Sequence, residues 1–286
     1  MRINLPLLTC AAAMCGIAGA LQAQELPTLQ RKYLHIVREE VKIGRNADHE
    51  KIEAGWPAAY ERAKSSDYYL ALVGMTGVNE TWFLAPQESN AAVETMAAHD
   101  AADKQLQSEL QRLRKADAEL LSNYRVMQTV ARPDLGYGAY PNLAKQRFWE
   151  ITWFRLKPGH EQQWESAAKT YIAVTKRAAP DASFQMYQII AGAPGPTFLV
   201  ISSVESLADF DKVMSDDEKT WMAMTAEEMA VMQKVSTDGL INSETNRFRL
   251  SPAMSHVPNA VRESDPSFWM PKKAIVASNR KPVSTP

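Results

Sequence analysis

The chain has 286 residues, with 32 basic and 33 acidic side chains and 45% hydrophobic content. This near-neutral balance, with no basic stripe, excludes nucleic acid as a partner. Both cysteines, Cys10 and Cys15, fall in a segment that reads as a leader, so the remaining chain has no disulfide, thiolate metal site or cysteine nucleophile.

Residues 1–23 carry Arg2, an apolar run from Leu5 to Ala20, and small residues suited to cleavage after Ala20 or Ala23. That layout predicts a secretory signal peptide and a periplasmic or secreted product. No later apolar stretch is long enough to span a membrane as a helix. A first unit is expected over 24–145. It opens on a strand at Tyr33–Lys42, then a helix from about His49 to Lys64 with Ile52, Trp56, Ala59, Tyr60 and Ala63 on one stripe. Strands at Tyr68–Met75 and Glu80–Ala85 flank the turn Gly77-Val78-Asn79, residues 90–118 read as helix, and Leu120–Ala131 is extended up to Pro133.

A second unit, 146–252, keeps the order. Its elements are a strand at Phe148–Lys157, a helix from His160 to Arg177, strands at Ser183–Ala191 and Thr197–Ser203, helices near Leu207–Met214 and Glu218–Val235, and a strand Ile241–Leu250 ending at Pro252. Lys42-x-Gly44 returns as Lys157-x-Gly159, and Gly77 as Gly192, both 115 residues on. A fixed offset over about a hundred residues means a duplicated domain. Residues 253–286 are Pro-rich and predict an extended tail, with the last eight or so residues disordered and Phe268-Trp269-Met270 apolar enough to dock on the barrel or on a second subunit.

Each unit reads βαββαβ, an α+β ferredoxin-like pattern whose bare sheet face must be covered. Two such faces pressed together form an intramolecular barrel. On His35-Ile36-Val37 with Val41-Lys42-x-Gly44, and on Leu156-Lys157-Pro158-Gly159 before a helix, the chain resembles the dimeric α/β-barrel superfamily, which includes antibiotic-biosynthesis monooxygenase-like, stress-responsive A/B-barrel and NIPSNAP-like proteins. The resemblance implies a small-molecule cavity and, in several members, cofactor-free chemistry on aromatic or polyketide-like compounds. It supplies neither the Asn and Trp set of the oxygenases nor the Asn, Trp and His set of the haem-degrading members.

Strand alternation puts Tyr33, His35, Val37 and Glu39 on one face, and Phe148, Glu150, Thr152 and Phe154 on the equivalent face of the second unit. With those faces turned into the barrel, His35 and Glu150 form a candidate catalytic acid/base pair, and Tyr33, Val37, Phe148, Thr152, Tyr69 and Trp82 line a ligand cavity. The alternative for His35 is a hydrogen-bonded histidine in a mixed core. His49-Glu50 and His160-Glu161 lack the second histidine of a zinc-protease helix and read as helix starts, while Met222, Met224, Met229 and Met232 read as core filler rather than a copper site. No metal or cofactor is expected. The sequence thus supports an exported barrel binding an apolar or aromatic small molecule. A cofactor-independent monooxygenase or isomerase, or an assembly scaffold forming a homo-oligomer through its tail, are the alternatives.

Overall fold

The structure, a computed structural model, describes residues 26–270, so the leader and the chain beyond Met270 lie outside the described residues. The first half runs β1 (Tyr33–Val41), α1 (Asn46–Glu53), α2 (Gly55–Ala63), β2 (Tyr69–Gly74), β3 (Glu80–Gln87), α3 (Asn90–Ala102), α4 (Lys104–Ala118) and β4 (Leu121–Ala131). The second runs β5 (Phe148–Leu156), α5 (Glu161–Ala178), β6 (Gln185–Ala191), β7 (Thr197–Val204), α6 (Asp209–Met222), α7 (Ala226–Lys234) and β8 (Leu240–His256), with α8 (Asn259–Ser264) and α9 (Pro266–Trp269) after it. The strands close into one antiparallel barrel in the order β1-β3-β2-β8-β5-β7-β6-β4. Started from β4, that circle is the ferredoxin-like order twice, β4-β1-β3-β2 and then β8-β5-β7-β6.

The halves join at two seams, β2 against β8 and β4 against β6. A glycine permits each approach. Gly77 (φ +76) and Gly192 (φ +89) sit in the left-handed region, and a Cβ there would lie 2.2 Å from Asn246 Oδ1 on β8 and 2.0 Å from the Val126 carbonyl oxygen on β4. Between the seams, alternate residues of all eight strands face a common interior, where Leu34, Ile36, Leu72, Trp149, Ile151 and Phe248 belong to one buried cluster. Each such side chain contributes about 1.5–3 kcal/mol by burial, so a core shared by both halves makes them one cooperative unit. Separate outer clusters pack α2 and α4 on the first half-sheet, and α5 and α7 on the second.

Several boundaries differ from the sequence reading. The helix expected over 90–118 is two helices, because the Asp103 side chain accepts hydrogen bonds from the backbone N–H groups of Gln105 and Leu106 and starts a new one. The helix expected over Glu218–Val235 restarts at Thr225, whose hydroxyl and Glu228 form a reciprocal cap. That break divides the methionines: Met222 is exposed at the end of α6, while Met232 packs into the outer core of the second half. The last strand runs past Pro252, since the register against β2 shifts there and Ser255 Oγ accepts the Ala71 N–H at 2.9 Å. A bulge takes the proline out of the ladder.

One end of the barrel is closed by the chain itself. Trp269 is buried with Leu143, Val257 and Val261 against the interior cluster, and its indole N–H donates to the Ala144 carbonyl at 3.2 Å. Arg147 ties the same segment down through Asp265 at 2.8 Å and over the Phe268 ring at 3.7 Å. The apolar tail segment therefore docks on its own barrel, and Met270 remains exposed.

His256, at the end of β8, lies between Tyr60 and Tyr68 with its Nδ1 2.7 Å from the Asp67 carbonyl. Burial holds its pKa below the usual histidine value. A depressed folded-state pKa gives stability that is present above about pH 6.5 and lost as pH falls below it. Urea midpoints at pH 7.5 and 5.5 are expected to differ by less in His256→Gln than in the parent. An equal difference in both proteins would show that this ring does not set the acid limb.

Candidate functional site

The structure reverses the predicted strand facing. Leu34 and Ile36 of β1, and Trp149 and Ile151 of β5, fill the interior, so His35 and Glu150 point outward. The reason is packing. Eight strands converge on the interior and need the bulkiest unbroken apolar set, whereas the helices cover the outer face only in part, which leaves room there for polar groups. His35 is half-buried beside Gln128, with Nε2 atoms 3.1 Å apart, and burial lowers its pKa. Glu150 instead accepts from Arg247 Nε at 2.8 Å, and that guanidinium stacks 4.3 Å over Phe210 of α6. The two residues share no cavity and form no acid/base pair.

The expected ligand contacts divide the same way. Val37 and Tyr69 belong to the core under α2 and α4, Thr152 meets Thr245 on the outside at 2.9 Å, and Tyr33 and Phe148 share that outward face with Lys32 beside the Tyr33 ring. Only Trp82 lies where it was expected, in the interior.

Opposite the Trp269 plug, the barrel mouth holds a cavity of about 270 Å³. Its floor is aromatic: Trp82 meets Phe248 at 5.4 Å and stands edge-on to Trp153 at 6.4 Å. Its walls carry Arg38, Arg125 and Arg155, with Glu244, Asn242 and Asn246 from β8. Arg38 lies 5.5 Å over the Trp82 ring and its Nε bonds Glu80, whose side chain is fully buried. Burial raises the Glu80 pKa, and the Arg38 charge opposes that rise.

Arg155 Nε is buried at this end without a partner, while the Trp82 indole N–H and Glu80 Oε1, neither in a well-formed hydrogen bond, lie beside each other. A buried donor or acceptor left without a hydrogen bond costs about 1–3 kcal/mol. The cavity is strongly asymmetric. Arg38 pairs with Trp82 and Arg125 across β1, while at the matching register of the second half Trp153 pairs with Leu199 and Glu244. One repeat position thus supplies a cation in one half and a ring in the other. Neither arginine nor glutamate stands in a motif that single-sequence reading would flag, and the only available signal was arginine recurring on otherwise apolar strands.

Comparison with solved structures places this architecture. A candidate monooxygenase from Fusobacterium nucleatum superposes with a TM-score of 0.52 at 7% identity, over 78% of this chain and 94% of that one. This is the dimeric α/β-barrel fold, closed within one chain. Weaker similarities reach an anthrone oxidase-like protein (TM-score 0.48, 11% identity, 79% and 94% covered) and a candidate monooxygenase from Lactobacillus acidophilus (0.47, 8%, 80% and 98%). No family model matches the sequence, and neither does any curated protein. Among the described residues no helix of the barrel is long and apolar enough to cross a membrane.

Proposed function

We propose that this is an exported binding protein whose barrel mouth captures one small, flat organic anion, such as an aromatic carboxylate or phenolate. The observation carrying the reading is the unpartnered Arg155 Nε in a cavity whose floor is Trp82, Trp153 and Phe248. Rings supply a face for a flat apolar body, and a guanidinium supplies a planar, permanently charged donor for its anionic edge. Export rests on the pattern of residues 1–23, and it implies a periplasmic or secreted site of action. A second reading, cofactor-independent oxygenation of such a ligand, is favoured by the Fusobacterium nucleatum neighbour, described as a candidate monooxygenase. In that case Glu244 of the cavity wall, rather than His35 and Glu150, stands near the reacting molecule.

Tryptophan fluorescence titration with benzoate, naphthoate and anthraquinone carboxylate, each against its neutral amide, tests the binding. The acids are expected to quench and the amides to bind more weakly. Arg155→Gln should loosen the acids by roughly ten- to a hundredfold, the usual worth of a charge-assisted hydrogen bond. Equal binding of acids and amides, or an unchanged affinity in the variant, defeats the reading. Oxygen uptake with bound hydroxyarenes separates the second reading from the first.

A further inference from the structure

A second polar cluster lies outside the barrel wall, beneath α1, α2 and α4. Glu39 of β1, His49 of α1, Glu53 at the end of α1 and Asp117 near the end of α4 are all buried, and one donor atom from each lies within 4.8 Å of every other. His49 Nε2 is 2.9 Å from Glu39 Oε2 and 3.6 Å from Asp117 Oδ1. Glu53, only 4% exposed, makes no hydrogen bond through Oε1, with the Trp56 indole beside it, and Asp117 Oδ1 has none either, the His49 ring standing off at 3.6 Å. Three buried carboxyl groups thus face a single imidazole. Burial, together with the neighbouring carboxylates, raises both Glu53 and Asp117 above the usual carboxylate range.

The second half of the chain shows that the fold does not require these residues. The backbone contacts set the correspondence: Arg45 N–H bonds Lys42 O and His49 N–H bonds Arg45 O, just as His160 N–H bonds Lys157 O and Trp164 N–H bonds His160 O. At the shared offset of 115 residues, Glu39 becomes Phe154, His49 becomes Trp164 and Glu53 becomes Ala168. Phe154 and Trp164 pack at 4.6 Å with Ala168 and Val235 in an apolar cluster. The same correspondence sets His160 against Arg45, so the paired His-Glu of the sequence is not a repeat of one position. Nothing in the packing of this half-sheet demands titratable side chains. The buried charges call for a ligand of their own.

We propose that Glu39, His49, Glu53 and Asp117 form a structural site for a divalent first-row transition cation of the Zn²⁺ or Mn²⁺ class. Such ions take nitrogen and oxygen donors at about 2.0–2.2 Å, so donors around one ion are separated by up to about 4.4 Å, and small side-chain rotations bring this set within range. The imidazole disfavours Mg²⁺ and Ca²⁺, which take oxygen donors. With ligands drawn from β1, α1 and α4, the ion fastens the helix layer to the strand that carries Arg38 on its other face.

The full-length mature protein, stripped with EDTA and dialysed against Zn²⁺, Mn²⁺, Mg²⁺ or Ca²⁺ in turn, supplies the test by elemental analysis and thermal melting. One Zn²⁺ or Mn²⁺ per chain is expected, with a rise in Tm that Mg²⁺ and Ca²⁺ do not reproduce. Glu53→Gln with Asp117→Asn should abolish both effects while the far-ultraviolet spectrum stays native. Absence of a retained ion together with an unchanged Tm in the unmutated protein overturns the site, whether or not the variant folds. So does an ion retained at the same stoichiometry by a folded variant. Binding of aromatic acids is read on a separate cavity, so failure of either proposal leaves the other standing.

Discussion

Replacing Trp269 by alanine is expected to destabilise the protein by about 3–5 kcal/mol, the range for removing a large buried aromatic. The indole is 4% exposed and touches an interior cluster to which both half-sheets contribute, so its loss opens the closed end of the barrel. The Ala144 carbonyl also loses its N–H donor. Urea unfolding of W269A against W269F provides the measurement, and the phenylalanine variant should recover a large part of the loss because it keeps an aromatic ring in the plug, though a smaller one and without the hydrogen bond. A cost for alanine below about 1 kcal/mol would falsify the plug as a structural element.

Substituting Arg38 by methionine is expected to be comparably severe, at about 3–5 kcal/mol, for a different reason. Glu80 has no exposed side-chain surface, and Arg38 Nε is its one charged hydrogen-bond partner among the described residues. Removing the cation leaves an uncompensated buried carboxyl, which must take up a proton or pull in water. The double variant Arg38→Met with Glu80→Met removes both members, and its stability should return to within about 1 kcal/mol of the parent. Equal damage in single and double variants would mean that Arg38 matters for its packing over Trp82 rather than for its charge.

The element order and the duplication were legible because they rest on local chemistry. Hairpin glycines, Lys-x-Gly corners and alternating strands each leave a mark within a few residues, and their recurrence at one offset needs no tertiary information. Facing was not legible in the same way. Alternation says that His35 and Ile36 look in opposite directions, but which direction is inside depends on how completely the helices cover the sheet, and that is decided by packing between segments far apart in sequence. Trp82 was found because a tryptophan on either face is buried. The arginines of the mouth were missed because their partners, Glu80 for Arg38 and the rings of β3, β5 and β8, come together only when the barrel closes. The cluster at Glu39, His49, Glu53 and Asp117 was hidden for the same reason, with members spread from β1 to α4 and no spacing that a metal motif would impose.

The unlike residues at matching repeat positions, Arg38 against Trp153 and Arg125 against Glu244, have a consequence for recognition. A barrel made from two identical chains has a true two-fold axis, and a guest on that axis can be given a half-turn about it, exchanging its two sides, without any change in energy. Covalent fusion removes that degeneracy. A planar guest of the kind proposed for this mouth would meet different walls on its two sides, so the cavity would distinguish one edge of a ring from another and one prochiral face from the other through shape and charge alone.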